Sequence, residues 1–309
     1  MDFLYMLEKI RFPGLDAFML GITYLGDEIA FLLVTLILYW CIDKKKGYYV
    51  LALGCIGTVA NQFMKLIFRI PRPWVKDPGF SILEQAREGA GGYSFPSGHT
   101  QNAVGTFGGI AAVSKKKAIR ISCILVAILV PFSRMYVGVH TPLDVSVAAA
   151  MALVLIFLLK PLIWKQNGKH IPILLGSMTA FAISYLAFVE RYPFPADIDP
   201  ENLFSGTKNA YTLVGALLGF LAAYYADTKW IHFPVKAVWW AQIIKVGVGI
   251  ALVLAVKSGL TVPLQMLFGE YFGRMVRYFL VVFVAGVLWP LSFTWFSALG
   301  KQKDELEEK

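Results

Sequence analysis

A series of long apolar segments constrains this chain more than any other feature of its sequence. Nine of them can be marked, at 15–42, 48–68, 98–113, 118–138, 142–160, 171–189, 208–226, 236–256 and 276–298. A helix needs about 20 apolar residues to cross a bilayer, and a backbone in lipid must satisfy its own hydrogen bonds. With 16% charged residues and a mean hydropathy of +0.62, neither an ordinary soluble enzyme nor a disordered chain fits. The predicted fold class is therefore all-α, a polytopic transmembrane helical bundle of about nine spans.

The basic residues between these segments predict how the chain crosses the membrane. Every other connection is basic, with Lys44, Lys45, Lys46, Lys115, Lys116, Lys117, Arg120, Lys160, Lys165, Lys169, Lys229 and Lys236, and the tail adds Lys301, Lys303 and Lys309. The longer connections, 69–97, 190–207 and 257–275, alternate with them. Because Lys and Arg accumulate in cytoplasmic loops, we expect an extracytoplasmic N-terminus, a cytoplasmic C-terminus and long loops outside. The net charge of +9 then reflects topology, and no nucleic acid partner is expected.

Isolated polar residues within the apolar segments are interpreted as structural. Cys41, Cys55 and Cys123 lie far apart, so we expect buried free thiols rather than a disulfide framework or a metal site. Lys245 in the eighth segment could snorkel, pair with a carboxylate or mark a second site. A structural role for Lys245 is the favoured interpretation.

Three polar clusters are the candidates for chemistry, and the first contains Lys65 and Arg72. Lys65 lies near the outer end of the second segment, and Pro71 and Pro73 are expected to end the helix there. Seven residues correspond to about two helical turns, so the two cations share one side if the helix continues that far. The alternative is an ordinary snorkelling pair at the membrane edge.

The second cluster, Tyr93-Ser-Phe-Pro96-Ser97-Gly98-His99-Thr100, opens the third segment. A helix start leaves main-chain N–H groups free and attracts anions. His99 would lie in the first turn, where it could donate a proton to a group held at those N–H groups. The alternative is that Ser97 serves simply as an N-cap.

The third cluster is Ser133-Arg134 followed by His140 and Asp144. Four residues apart on one helix face, Asp144 could bond one ring nitrogen of His140 and leave the other as a nucleophile. The planar guanidinium of Arg134 suits phosphate oxygens. The alternative is a buried His–Asp pair that only stabilises the bundle.

Together the clusters predict a phosphate site on the outer face. Three cations and an N–H group describe a phosphate cradle, and two histidines with a carboxylate describe a nucleophile and a general acid. Ligand spacing for a metal is absent from the sequence, so neither a metal nor a cofactor is expected. A transporter or channel would instead spread charges along several spans.

The three clusters resemble the signature of the type 2 phosphatidic acid phosphatase superfamily, which includes vanadium haloperoxidases. That signature is Lys-x6-Arg-Pro, Pro-Ser-Gly-His and Ser-Arg-x5-His-x3-Asp, and the chain matches every position. The resemblance covers about residues 20–160 and implies a six-helix phosphatase core. We therefore predict a core at 1–165 and additional transmembrane helices at 166–309, completing one helical domain.

The resemblance also implies a role for each motif residue. His140 would attack phosphorus and form a phosphohistidine, Asp144 would orient His140, and His99 would protonate the leaving oxygen. The phosphate would be bound by Lys65, Arg72, Arg134, Ser97 and the Gly98 amide. Reaction without a metal is implied, as is inhibition by vanadate, which mimics the transition state.

The predicted function is a membrane phosphatase whose active site faces the extracytoplasmic side. Its substrate would be a lipid phosphate or diphosphate, such as undecaprenyl diphosphate, phosphatidate or phosphatidylglycerophosphate, and its partners are that lipid and the bilayer. Two alternatives stay open, a phosphatase of a soluble ester resembling glucose-6-phosphatase and a phosphotransferase. The substrate, the oligomeric state and the role of residues 165–309 are left open by the sequence.

Overall fold

The computed structural model describes residues 1–164 and 169–299. Within this part the regular secondary structure is all helical, without a β-strand. The α-helices are α1 Asp2–Lys9, α2 Pro13–Thr23, α3 Glu28–Ile37, α4 Lys44–Phe68, α5 Pro73–Lys76, α6 Gly98–Ala103, α7 Gly109–Val113, α8 Lys117–Tyr136, α9 Pro142–Trp164, α10 Ile171–Arg191, α11 Pro200–Ala226, α12 Trp239–Gly259, α13 Thr261–Phe268, α14 Glu270–Phe283 and α15 Phe293–Ala298. Single π-helical turns occupy Leu38–Ile42, Val104–Gly108, Asp227–Ile231 and Val284–Leu288. The all-α prediction is confirmed. Lys165, Lys301, Lys303 and Lys309 of the predicted basic connections lie outside the described residues.

The described residues contain seven helices long and apolar enough to cross a membrane, or eight if one bent pair forms a single span. The bent pair is Pro13–Gly26 with Glu28–Ile42, which meet at 56°. The predicted count of nine is not confirmed. The predicted span that does not pass this test is the segment 98–113. It is helical, but it measures only about 24 Å at 1.5 Å per residue, which is less than the roughly 30 Å hydrocarbon core.

The chain divides into two compact units. Unit 1 comprises Met1–Val34, Tyr49–Asn167 and Pro193–Gly206, and unit 2 comprises Thr35–Tyr48, Gly168–Tyr192 and Thr207–Lys309. Within unit 1, α6 packs against α8 and α9. Helix α6 can approach α4 closely because Gly57 of α4 carries no side chain. A Cβ at Gly57 would lie 1.7 Å from Nε2 of Gln101. The predicted division at 165 and 166 stays a prediction.

Unit 2 corrects the expected loop at 257–275. The end of α12, all of α13 and the start of α14 occupy that stretch. Gly269 has φ of +77°, a backbone conformation that glycine adopts readily, and it forms the turn between α13 and α14. Apolar residues at helical spacing in 261–268 let the chain stay helical there. The expected loop at 190–207 is also shorter, because α10 ends at Arg191 and α11 begins at Pro200.

Lys245 and the three cysteines differ in how deeply they are buried. Lys245 is fully buried, and its Nζ donates to the main-chain oxygens of Trp40 at 2.9 Å and Val235 at 3.1 Å. All three cysteines are free, as predicted, but only Cys55 is buried. The expectation of burial is wrong for Cys41 and Cys123, which are half-buried. Cys123 lies on α8, a helix with a mostly uncovered apolar surface.

In unit 2, α11 and α14 approach closely at small residues of α11. A Cβ at Gly215 would lie 2.1 Å from the main-chain oxygen of Met275, and one at Gly219 would lie 2.8 Å from Val282. Small residues four apart let apolar helices touch along their backbones. This contact is therefore specified by the absence of side chains.

We expect Gly215→Ala to lower the thermal unfolding temperature of the detergent-solubilised protein. The added methyl group would overpack the helix contact, which typically costs about 1–3 kcal/mol. Gly247→Ala is the matched control, because Gly247 is an exposed helical glycine whose added Cβ meets nothing within 4 Å. The control should match the wild type or exceed it slightly, since alanine favours helix. Equal unfolding temperatures of the two variants would contradict the close packing.

Candidate active site

Lys65 and Arg72 lie close together, but not on one continuous helix as the spacing suggested. Helix α4 ends at Phe68, and Arg69 has φ of +50°. Pro71 cannot continue a helix, and Arg72 is the residue before α5, which begins at Pro73. Both cations are nevertheless buried, Lys65 at 7% exposure and Arg72 at 6%.

These two cations hold the loop that precedes the second motif. Lys65 Nζ donates to the main-chain oxygen of Tyr93. Arg72 donates to main-chain oxygens of Gly91 at 2.8 Å, Gly92 at 3.0 Å and Val139 at 3.0 Å. Several donors of the two side chains are therefore satisfied by protein carbonyls, which lowers the cost of burying the charges.

The second motif begins a helix as predicted. Ser97 is the N-cap of α6, and its Oγ accepts from the main-chain N–H of Thr100 at 3.4 Å. Gly98 begins the helix and His99 follows in its first turn. A Cβ at Gly98 would meet nothing within 4 Å, so there is open space beside this helix start. The cap interpretation of Ser97 holds, and it is compatible with an anion nearby.

His140 and Asp144 meet, although they do not share a helix face. Pro142 begins α9, a position that proline favours because its missing N–H is not needed there, so His140 lies in the preceding loop. His140 Nδ1 is 3.5 Å from Asp144 Oδ2. Ser94 Oγ donates to the same oxygen at 2.6 Å and lies 3.4 Å from Nδ1, while the N–H of Thr141 donates at 2.8 Å. The carboxylate is therefore fixed by two donors beside the imidazole.

The other ring nitrogen of His140 faces a cation. Arg72 Nη1 is 2.8 Å from His140 Nε2, and because a guanidinium can only donate, we assign the lone pair to Nε2 and the proton to Nδ1. Burial, followed by the positive charges of Arg72, Arg134 and Lys65, holds the pKa of His140 well below its usual range. At neutral pH the imidazole is uncharged, as a nucleophile must be.

Arg134 carries donors that the described residues do not satisfy. Its side chain is 1% exposed, and Nη1 donates to Thr23 Oγ1 at 2.7 Å. Nε and Nη2 are buried and have no hydrogen-bond partner in the described part of the chain. A buried donor without an acceptor is costly, and this pair forms a planar fork that matches two phosphate oxygens.

Asp27 is a site residue that the motif analysis missed. His99 Nε2 lies 2.6 Å from Asp27 Oδ1. Burial and the charge of Arg134 lower the pKa of His99 to about 4, while Asp27 opposes them. A bound phosphate anion would also favour the protonated ring. The available signal was an acidic pair, Asp27 and Glu28, within the first apolar segment, where ionisable residues are functional candidates. Ser94 lies within the second cluster, but the motif analysis assigned it no role.

Two cavities of unit 1 adjoin these side chains. The larger, of about 750 Å³, reaches Arg72, and its other lining residues include Arg69, Trp74, Gly91, Asp197, Asp199 and Glu201. The smaller, of about 30 Å³, lies between Asp27, His99 and Arg134. The charged side chains of all three motifs therefore lie at one place in unit 1, with access on the Arg72 side.

Comparisons with known proteins agree with this geometry. The sequence profile of the PAP2 superfamily matches residues 45–168, and that of the PAP2 superfamily phosphatase transmembrane extension matches 211–302. Phosphatidylglycerophosphatase B of Bacillus subtilis is 33% identical over 165 residues, covering 49% of this chain and 76% of the relative. The chain belongs to the PAP2 superfamily. The extension profile and the long apolar helices make it an integral membrane protein.

Two further phosphatases are similar to this chain. Undecaprenyl-diphosphatase BcrC of Bacillus subtilis is 30% identical, covering 47% of this chain and 72% of the relative. A dihydrosphingosine 1-phosphate phosphatase of Schizosaccharomyces pombe is 27% identical, covering 63% of this chain and 49% of the relative. No solved structure gives a significant match. The PAP2 profile covers all three motifs, and the extension profile lies in unit 2.

We expect Ser94→Ala to lower phosphatase kcat with little change in KM. The variant removes one of the two donors that fix Asp144, and a hydrogen bond to a charged group contributes about 1.5–3 kcal/mol, which corresponds to roughly 10- to 100-fold in rate. Ser177→Ala is the control, because Ser177 Oγ donates to the main-chain oxygen of Leu174 in its own helix. Wild-type kcat in Ser94→Ala would show that Asp144 is oriented without this hydroxyl.

Proposed function

We propose that this membrane protein hydrolyses a lipid phosphate or diphosphate through a phosphohistidine on His140. The observation that carries the proposal is the pairing of an uncharged, oriented imidazole with the unsatisfied donor fork of Arg134. The first group is a nucleophile for phosphorus, and the second is a pair of donors that stabilises the charge that develops on phosphate oxygens. Membership of the PAP2 superfamily and its phosphatase relatives supports the same reaction.

The reaction proceeds in two displacements. Nε2 of His140 attacks phosphorus with its lone pair, and the bond from phosphorus to the leaving oxygen breaks. His99 gives its proton to that oxygen, so the product leaves as an alcohol or as a lipid monophosphate. Water then attacks phosphorus and gives a proton to His99, and the bond from phosphorus to His140 breaks. Inorganic phosphate leaves and both histidines return to their starting states.

The three cations of the cradle contact the phosphate in different ways. Arg134 binds two phosphate oxygens with Nε and Nη2. Lys65 and Arg72 contribute positive charge while they hold main-chain carbonyls of the loop before Ser97, and both bind phosphate oxygens when these displace carbonyl contacts. Ser97 and the Gly98 amide complete the cradle, beside the open space at Gly98. Arg72 also releases the lone pair of His140 when it turns to the phosphate.

The active site faces the extracytoplasmic side, with the N-terminus outside and the C-terminus inside. In unit 1 the site residues lie near one end of α4, α8 and α9. The basic run Lys115–Lys117 precedes α8, and Lys160 near the far end of α9 donates to the main-chain oxygen of Ala112 at 2.9 Å. Because cytoplasmic ends are basic, the opposite ends, which hold the site, face outward.

We expect His140→Ala to lower phosphate release at least about 1,000-fold, because loss of a covalent nucleophile leaves only binding and electrostatic stabilisation. The wild type should also form an acid-labile phosphoenzyme that the variant lacks. His232→Asn is the control, since the side chain of His232 is exposed and its backbone is in the left-handed region, a conformation that asparagine tolerates. Substantial turnover by His140→Ala would remove the mechanism.

A second candidate is hydrolysis of a soluble phosphate ester, or transfer of its phosphoryl group to an acceptor hydroxyl. The cavity of about 750 Å³ has charged side chains in a mixed polar and apolar lining and is large enough for a small-molecule ligand. The lipid reaction is favoured because the phosphatidylglycerophosphatase, undecaprenyl-diphosphatase and dihydrosphingosine 1-phosphate phosphatase relatives are all named for lipid substrates.

A substrate panel on the purified protein separates the candidates. We expect phosphate release from micellar undecaprenyl diphosphate, phosphatidate or phosphatidylglycerophosphate, with kcat/KM at least about tenfold above that for glucose 6-phosphate. EDTA should leave the rate unchanged, and vanadate should inhibit it. A preference for the sugar phosphate would favour the second candidate, and loss of activity in EDTA would contradict reaction without a metal.

A further inference from the structure

Asp27 lies where the first bent pair of helices breaks, directly against His99. It follows the short turn Tyr24–Gly26 and precedes α3, at the 56° bend. The backbone is packed onto the histidine: a Cβ at Gly26 would lie 2.9 Å from the main-chain oxygen of His99 and 3.1 Å from its Cβ. The bend therefore sets the position of the Asp27 carboxylate, 2.6 Å from His99 Nε2.

The charges around His99 explain what a carboxylate does there. Arg134 and Arg72 face the imidazole and oppose its protonation, and Asp27 is the carboxylate that favours it. His140 lies near enough for an electrostatic interaction with His99. A general acid among cations tends to lose its proton before it can be used. A fixed anion on the far ring nitrogen stabilises the imidazolium and offsets part of the effect of the cations.

The two histidines contact their carboxylates through different ring nitrogens. Asp144 lies at Nδ1 of His140 and leaves Nε2 for phosphorus, whereas Asp27 lies at Nε2 of His99 and leaves Nδ1 to donate. We propose that Asp27 is a positioning residue that orients His99 and favours its protonated form when phosphate is bound, so that Nδ1–H is delivered to the leaving oxygen. This inference rests on the proposed phosphatase reaction, in which the leaving oxygen takes that proton as its bond to phosphorus breaks.

The role predicts a dependence on the leaving group. An alkoxide is a poor leaving group and needs the proton, whereas p-nitrophenolate leaves well without it. Loss of Asp27 should therefore slow hydrolysis of an alkyl phosphate far more than that of an aryl phosphate. A merely structural role would slow both equally, because both esters use the same nucleophile and cradle.

The experiment compares detergent-solubilised full-length variants on dioleoyl phosphatidate and p-nitrophenyl phosphate. We expect Asp27→Asn to lower kcat/KM at least about tenfold on phosphatidate and less than about threefold on p-nitrophenyl phosphate. Adding Asp27→Asn to His99→Asn should cost less than about twofold more, because the two residues act as one unit. Glu28→Gln is the matched control, since it removes the same charge at the next, exposed residue, and should behave as wild type.

The outcomes separate this inference from the reaction itself. A wild type that hydrolyses neither ester contradicts the proposed function. An active wild type with equal losses on both esters in Asp27→Asn, no loss on either, or additive losses in the double variant contradicts the role of Asp27. If Asp27→Asn does not fold, Asp27→Glu, which keeps the charge but displaces it by one methylene, is judged by the same ratio of the two substrates.

Discussion

The burial of positive charge around His140 is the constraint on which the site depends. Lys65, Arg72 and Arg134 are each less than 8% exposed, and burying a charge is costly unless the protein satisfies it. Main-chain carbonyls of the loop 91–93 meet part of this requirement, which explains why that loop takes its course past the end of α4. In the proposed mechanism, the part left unsatisfied, Nε and Nη2 of Arg134, binds the phosphate anion. Stability and ligand choice are thus two consequences of one charge distribution.

In the proposed mechanism, the same charge distribution acts on two histidines with different roles. Near the cations His140 stays uncharged, which suits a nucleophile, and its carboxylate needs only to orient it. His99 has the opposite requirement, since a proton donor must be charged at the moment it acts. We propose that Asp27, at the bend of the Pro13–Gly26 and Glu28–Ile42 pair and far from the three motifs in sequence, favours that charged form. Superfamily motifs can therefore identify the histidines without identifying everything that tunes them.

Features that depend on residues close together in sequence could be predicted, whereas contacts between distant residues could not. Helices follow from apolar length, and the capping role of Ser97 follows from residues within one turn of it. The contact of His140 with Asp144 was predicted, but on a shared helix, because the pattern of spacing carried more weight than Pro142 did. Ser94 and Asp27 were missed because each acts on a partner that only the tertiary fold brings near. The helices in 257–275 were missed because their charges resemble those of a loop.

The packing of the site also constrains how a substrate enters. Arg72 covers the lone pair of His140 at 2.8 Å, and the space between Asp27, His99 and Arg134 is about 30 Å³, room for about one water molecule. A phosphate group must therefore shift these side chains when it binds. Charge-assisted hydrogen bonds from arginine to phosphate are stronger than those to main-chain carbonyls, so the exchange is favourable for Arg72. In the proposed mechanism this exchange uncovers Nε2 of His140 only when phosphate is present, which couples binding to the exposure of the nucleophile.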